Sequence, residues 1–110
     1  MKNEINILDI PHPTVGQMME SVVGCKWSLT IIELIRQGVS RPGKMEHAIE
    51  GLSTKVLNER LRKLQHFGVI EKRAFAEMPP RVEYHLTDFG GRFVEILDSI
   101  HVLQSTKDKG

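Results

Sequence analysis

The hydrophobic period of the chain changes after Gly68, and this change limits the fold more than any other feature. Up to that point apolar residues recur every three or four positions, as on one face of a helix. From there on Val82, Tyr84 and Leu86 alternate with polar residues, and helical spacing returns after Thr87. The pattern predicts a mostly α chain with one small β-hairpin, an α+β fold in a single domain.

Capping residues indicate where the helices begin and end. Thr14 followed by Gln17 matches a capping box, and Gly24 interrupts the first apolar stripe. Ser53 is a suitable N-cap for a fourth helix, and Gly68 is placed to end it. The first predicted helix opens at Thr14, the next three cover about 26–37, 42–50 and 54–66, and the last starts near 87, after a hairpin at about 70–86.

Both ends of the chain are predicted to lie outside the folded domain. Pro11 and Pro13 disfavour a helix in residues 1–13, which we interpret as an N-terminal arm. Residues 105–110 are polar and are predicted to form a disordered tail. The folded domain, with its dimerisation helices, is therefore predicted to span 14–104.

Two helices joined through Gly51 and followed by a hairpin predict a winged helix-turn-helix. The N-terminus of the second of these helices enters a major groove in such domains, where Asn and Lys side chains read base edges. We therefore predict that the helix at 54–66 recognises double-stranded DNA; the alternative is an ordinary solvated helix face. The predicted contacts are Ser53, Thr54, Lys55, Asn58, Arg62 and Lys63, of which the last two are assigned to the backbone.

The predicted hairpin carries a second group of basic residues. Lys72, Arg73 and Arg81 lie on either side of Pro79 and Pro80. Such a wing is predicted to lie along the DNA backbone or to reach into a minor groove, where arginine is favoured. The alternative is a hairpin whose charges protect its edge from aggregation.

The first and last helices carry more apolar residues than a chain of 110 residues can bury alone. We therefore predict a homodimer formed through these two helices; the alternative is that both stripes belong to the core. A two-fold dimer would place two recognition helices about 34 Å apart, on a pseudo-palindromic operator. The predicted interface residues are Val15, Met18, Met19, Val22, Phe93, Ile96, Leu97 and Ile100.

Several sequence blocks point to one family. They are GCKW at 24–27, GLSTKVL at 51–57, LRKL at 61–64, GVI at 68–70, and EMPPRVEY at 77–84 followed by Leu86, Thr87 and Gly90. Over roughly 15–100 the chain resembles the HxlR-type winged helix-turn-helix regulators, relatives of the MarR group. The resemblance implies a dimeric prokaryotic transcription factor that recognises DNA with its fourth helix and wing. Many members carry a redox-active cysteine in the N-terminal arm, and this chain has none there.

Cys25 is the one cysteine of the chain, so an intrachain disulfide is excluded. It lies at a predicted helix start beside Lys26, and both features lower a thiol pKa. One hypothesis is that Cys25 makes the regulator sensitive to redox state; the alternative is a small packed residue. Whether a small-molecule or redox effector exists is left open.

The remaining features bear on the function class. The net charge is only +1, which favours as an alternative a winged-helix protein-interaction module without DNA binding. No nucleophile motif, phosphate loop or paired-carboxylate arrangement is present, so an enzyme is not expected. The five histidines show no metal-ligand spacing, and no cofactor is expected. No apolar run approaches a membrane span, and we expect a cytoplasmic protein.

Overall fold

A computed structural model describes residues 14–109 as five helices and one antiparallel hairpin. The elements are α1 (Val15–Val23), α2 (Ser28–Arg36), α3 (Pro42–Ala48), α4 (Thr54–His66), β1 (Ile70–Phe75), β2 (Arg81–Leu86) and α5 (Asp88–Lys109). The predicted α+β fold with a winged helix-turn-helix is confirmed. The predicted arm at 1–13 lies outside the described residues.

Local capping explains where the helices begin. The Thr14 hydroxyl accepts the Gln17 N–H at 3.1 Å, and the Gln17 side chain accepts the Thr14 N–H at 2.9 Å, which completes the predicted capping box. The α2 helix begins two residues later than predicted because Trp27 adopts a left-handed backbone, with φ of 77°. The α3 helix ends at Ala48 rather than Glu50 because Ile49 is extended.

The α4 helix packs one apolar face into the centre of the domain. Leu57, Leu61 and Leu64 are almost completely buried. Each buried leucine of this kind stabilises the fold by roughly 1.5–3 kcal/mol, so the helix is held by its inner face while its outer face stays free. The core around it comprises Met18, Val22, Ile31, Ile32, Ile35, Met45, Ile49, Leu52, Val69, Ile70, Tyr84, Phe93 and Val94.

The hairpin is attached to the domain at the junction with α5. The Thr87 hydroxyl donates to the Gly68 carbonyl at 2.5 Å, and the Thr87 N–H donates to the Val69 carbonyl at 3.1 Å. Gly90 packs against the same segment, and a Cβ at this position would overlap the Val69 carbonyl oxygen. Only glycine therefore fits there, and the close contact fixes the base of the wing relative to α5.

The α5 helix is longer than predicted. It continues to Lys109, so the prediction of a disordered tail from Ser105 is wrong for the residues described. The segment contains no proline or glycine between Arg92 and Lys109 to stop a helix. Local bonds add to this: Thr106 donates to the Val102 carbonyl at 3.1 Å, and Gln104 to Asp108 at 2.8 Å.

Candidate nucleic-acid interface

The turn between α3 and α4 presents the N-terminus of α4 to solvent. Gly51 has a φ of 88°, the left-handed conformation that this tight turn needs. The Ser53 hydroxyl accepts the Val56 N–H at 3.1 Å, and Thr54 donates to Glu46 of α3 at 2.6 Å. These bonds fix α4 to α3 and leave a positively polarised helix end exposed, which suits a phosphate.

Three predicted contact residues lie on the outer face of α4. Lys55, Asn58 and Arg62 follow one another at helical spacing, and all three side chains are exposed. Within residues 14–109 none of the three takes part in an ion pair or a side-chain hydrogen bond. Two cations and one amide are therefore available together on a rigid helix.

Lys63 points elsewhere. Its ammonium donates to the Ser21 carbonyl at the end of α1, at 3.4 Å, and its side chain is half-buried. Arg60 behaves similarly, with Nε donating to the Lys26 carbonyl at 2.9 Å. Both cations hold α4 against the turn between α1 and α2, so the prediction of a phosphate contact by Lys63 is not retained.

Cys25 lies in that same turn and is partly exposed. Burial raises the pKa of its thiol, but the hydrogen bond from Lys63 and the charges of Arg60 and Lys63, with a smaller contribution from Ser28, outweigh it. The net pKa is lowered. The predicted influence of Lys26 is not among these causes, since its ammonium lies over the Trp27 ring at 4.9 Å. Local sequence could not reveal the role of Lys63, which is far away in the chain.

The wing neutralises most of its own charge. Strands β1 and β2 with their loop carry three cations and three carboxylates. Arg73 Nε is 3.0 Å from the Glu71 carboxylate. Arg81 lies between two carboxylates, Glu77 at 3.2 Å and Glu83 at 3.1 Å, the latter without the alignment of a hydrogen bond. Among the predicted wing contacts only Lys72 has no such partner within residues 14–109.

Further bonds brace the wing from behind. The Tyr84 N–H donates to the Ser40 carbonyl at 2.8 Å, which ties β2 to the loop before α3. His85 Nε2 lies 2.8 Å from Glu83 Oε1, and this bond is the largest cause of a lowered pKa at Glu83. The hairpin therefore has a defined orientation next to α4.

The structure divides the predicted dimer residues into two groups. Met18, Val22 and Phe93 are at most 2% exposed inside the single chain, so they are not available to a partner, and that part of the prediction is corrected. Met19 and Leu97 are half-buried. By contrast Val15, Ile96 and Ile100 are 54%, 49% and 45% exposed.

A second apolar stripe explains this division. Phe89, Ile96, Ile100 and Leu103 follow at intervals that place them on one side of α5, on average roughly 70° around the helix from the buried Phe93 and the half-buried Leu97. The predicted interface combined residues of both stripes and did not include Phe89 or Leu103. The exposed members are spaced seven, four and three residues apart, and packing shows that the core leaves them uncovered.

Within residues 14–109 no group of three histidine, cysteine or acidic side chains is placed to hold a metal ion. No helix in this part of the chain is long and apolar enough to cross a membrane.

The sequence matches a family model for HxlR-like helix-turn-helix proteins over residues 22–108. It is 40% identical, over 80 residues, to an uncharacterized HTH-type transcriptional regulator of Synechocystis; the match covers 73% of this chain and 59% of that relative. The chain therefore spans less than two thirds of that relative's length.

Solved structures show the same fold. A crystal structure described as a MarR-family transcriptional regulator from Enterococcus faecalis superposes with a TM-score of 0.79 at 30% identity, covering 96% of each chain. The regulator YodB of Bacillus subtilis in its reduced form superposes with a TM-score of 0.72 at 26% identity, covering 84% of this chain and 90% of its own. YodB has also been solved after diamide treatment.

Proposed function

The chain belongs to the HxlR-like helix-turn-helix family of transcriptional regulators, which are not enzymes, and from this premise we propose that it binds double-stranded DNA sequence-specifically through α4. The observation that carries the proposal is the unpaired group Lys55, Asn58 and Arg62 beside the exposed N-terminus of α4. Asn58 and Lys55 are of the types that read base edges, and Arg62 neutralises phosphate. Ser53 and Thr54, at the helix start, complete the major-groove contacts.

The alternative is a protein-interaction module that has lost DNA binding. The low net charge of +1 favours it, and so does Glu59, which lies exposed on the same helix as the three contact residues. The charge is unevenly distributed, however: α4 holds four cations and one carboxylate, and two of the cations, Lys55 and Arg62, lie unpaired on its outer face. A local basic surface of this kind attracts DNA even when the whole chain is nearly neutral.

The test is a fluorescence-anisotropy titration with duplexes that the protein selects from a random library. We expect tight binding to selected duplexes, weaker binding to scrambled ones, and an affinity that falls steeply between 50 and 200 mM salt. Lys55→Ala with Arg62→Ala should weaken binding to both kinds of duplex. Flat titrations on every duplex at 50 mM salt would contradict the proposal and support the protein-interaction module.

We propose further that the regulator is a homodimer that pairs the exposed stripes of α1 and α5. Every described side chain from Ser99 to Asp108 is exposed, and Leu103, a member of the proposed stripe, is 70% exposed. A helix without tertiary packing is marginal in water, so this half of α5 needs a partner surface. A second copy supplies a matching apolar stripe and gives a two-fold dimer suited to a pseudo-palindromic operator.

Light scattering after size exclusion, at tens of micromolar protein, tests the dimer. We expect Ile96→Glu combined with Ile100→Glu to give a folded monomer. Val102→Glu is the matched control, because Val102 lies about 200° around the helix from Ile100 and should leave the dimer intact. A wild-type monomer, or a double variant that stays dimeric, would contradict this assignment.

Cys25 supports a second, regulatory proposal, namely that thiol oxidation changes DNA affinity. Its lowered pKa favours the thiolate, the nucleophilic form. The thiolate sulfur attacks a peroxide oxygen, the O–O bond breaks, and the sulfur becomes a sulfenic acid while the peroxide is reduced to water or an alcohol. The modified sulfur sits against Lys63 of α4, so the change reaches the helix that carries the DNA contacts.

Hydrogen peroxide is the probe for this second proposal. We expect oxidised wild-type protein to differ from reduced protein in DNA affinity, and Cys25→Ser to be indifferent to peroxide. Lys63→Met should raise the pH at which Cys25 becomes reactive to iodoacetamide. Equal loss of binding in Cys25→Ser would show that oxidation acts elsewhere.

A further inference from the structure

The loop at the end of the wing has an unusual surface for a segment beside a DNA-binding helix. Between β1 and β2 the chain reads Ala76-Glu77-Met78-Pro79-Pro80, and all five residues are exposed. Met78 is 95% exposed, the highest value among the large apolar side chains described as exposed. A side chain with this exposure has no neighbour covering it and is free to contact a group outside the chain.

The positive charge of Arg81, at the end of the hairpin ladder, is already neutralised within the wing. The last pair of the hairpin ladder is Phe75 with Arg81, and the guanidinium of Arg81 lies over the Phe75 ring at 4.1 Å. The same guanidinium pairs with Glu77 and Glu83. Arg81 is thus held by a ring and two carboxylates, and moving it to a phosphate would leave Glu77 without its partner in front of DNA. We therefore withdraw Arg81 from the predicted DNA contacts.

Arg81 instead closes the base of the loop. Its contacts reach from β1, through Phe75, to Glu77 on the loop itself. Pro79 and Pro80 follow Met78 directly, and proline restricts the backbone on both sides of it. The contacts of Arg81 with Phe75 and Glu77, together with the two prolines, restrict the loop that places Met78 at the end of the hairpin.

We infer that Met78 is a specificity-determining residue whose side chain enters the minor groove beside the α4 site. The inference rests on the proposed DNA-binding function. β1 follows α4 directly through a turn in which the Val69 N–H donates to the Leu64 carbonyl at 2.9 Å, so the base of the wing is fixed to the C-terminal end of the recognition helix. Methionine and proline are among the apolar residues that enter minor grooves between base steps, where the preference depends on how easily the step deforms. Arg81 is the positioning residue for this contact.

The experiment compares wild type with Met78→Ala on duplexes selected by the wild-type protein from a random library. We expect affinity to fall roughly three- to tenfold, because apolar area is no longer buried, while the salt dependence stays unchanged. Preference at the base pairs flanking the α4 site should weaken in a repeated selection. Met78→Leu should retain both properties, and neither variant should alter folding because the side chain packs against nothing.

A double-variant comparison tests the role of Arg81. Arg81→Lys should weaken the flanking preference in wild type and have little further effect on it in Met78→Ala, because both act through one contact. Equal affinities and identical preferences for Met78→Ala and wild type would overturn the inference. If neither Met78→Ala nor Arg62→Ala changed DNA binding, the proposed function itself would fail. If Arg62→Ala weakened binding while Met78→Ala had no effect, only the proposed role of Met78 would be wrong.

Discussion

The outer face of α4 and the wing are both rich in cations, but the cations have different neighbours. On α4, Lys55 and Arg62 are exposed without an acidic partner in the described residues. On the wing, Arg73 and Arg81 pair with carboxylates at 3.0 to 3.2 Å. A count of basic residues would rate the two regions alike, whereas their available charge differs.

This difference assigns separate tasks to the two regions. A cation that is already paired gains little from a phosphate, since it must first give up its carboxylate. The unpaired cations of α4 therefore provide the electrostatic contact in the proposed complex. The wing, in which every cation except Lys72 is paired with a carboxylate, is a braced hairpin that presents an apolar tip.

The largest expected effect comes from breaking the base of the wing. Gly90→Ala would place a Cβ against the Val69 carbonyl oxygen, and we expect a loss of about 2–4 kcal/mol in the free energy of unfolding. Gly91→Ala is the control, because nothing lies within 4 Å of its Cβ, and it should stabilise the protein by up to about 1 kcal/mol. Urea unfolding measures both; equal stabilities would contradict the junction described above.

The second-largest expected effect distinguishes recognition of a base from neutralisation of phosphate charge. Asn58→Ala should cost about 1–3 kcal/mol of binding to selected duplexes and little on scrambled ones, because an amide contributes specificity rather than counterion release. Anisotropy titrations of wild type and Asn58→Ala give the ratio of the affinities for selected and scrambled duplexes. An equal loss on both would mean that Asn58 does not read a base.

Freeing a cation on the wing should also change the affinity for DNA. Glu71→Gln frees Arg73 from its 3.0 Å partner, and we expect affinity for all duplexes to rise about two- to tenfold with a steeper salt dependence. Glu33→Gln changes the net charge by the same amount, but in α2. Comparing it with Glu71→Gln therefore separates the effect of a charge on the wing from the effect of the net charge of the protein. Equal gains in both variants would argue against proximity of the wing to DNA.

The smallest effect concerns a paired cation remote from both regions. Arg36 lowers the pKa of Asp98 through a bidentate hydrogen bond, at 2.7 and 2.8 Å. The stability that this pair contributes is present above the unfolded pKa of about 3.9 and is lost as pH falls through the lower folded pKa. We expect Asp98→Asn to be less stable than wild type at pH 7 and to converge with it at pH 2. A difference that persists in acid would have another origin.

Local signals in the sequence predicted much of the fold. The α4 helix begins and ends where Ser53 and Gly68 indicated, because capping depends on residues a few positions apart. The late start of α2 was not predictable, since a left-handed Trp27 is imposed by its surroundings rather than favoured by its type.

The candidate site was predicted only in part. Lys55, Asn58 and Arg62 were identified correctly as outward-facing because helical spacing determines the outer face. The partners of Lys63 and the clamp around Arg81 depend on which segments meet in the folded chain. The same holds for the two stripes of α5, because only packing shows which one the core covers.

The most direct test of the central claim is the salt dependence of DNA binding for Arg62→Ala and Arg73→Ala, one arginine from each region. The variants carry the same change of charge. We predict that Arg62→Ala flattens the slope of log affinity against log salt by roughly 0.9 for each phosphate that the arginine neutralises, while Arg73→Ala leaves the slope of wild type. A flatter slope for Arg73→Ala and an unchanged slope for Arg62→Ala would contradict the division of tasks between α4 and the wing.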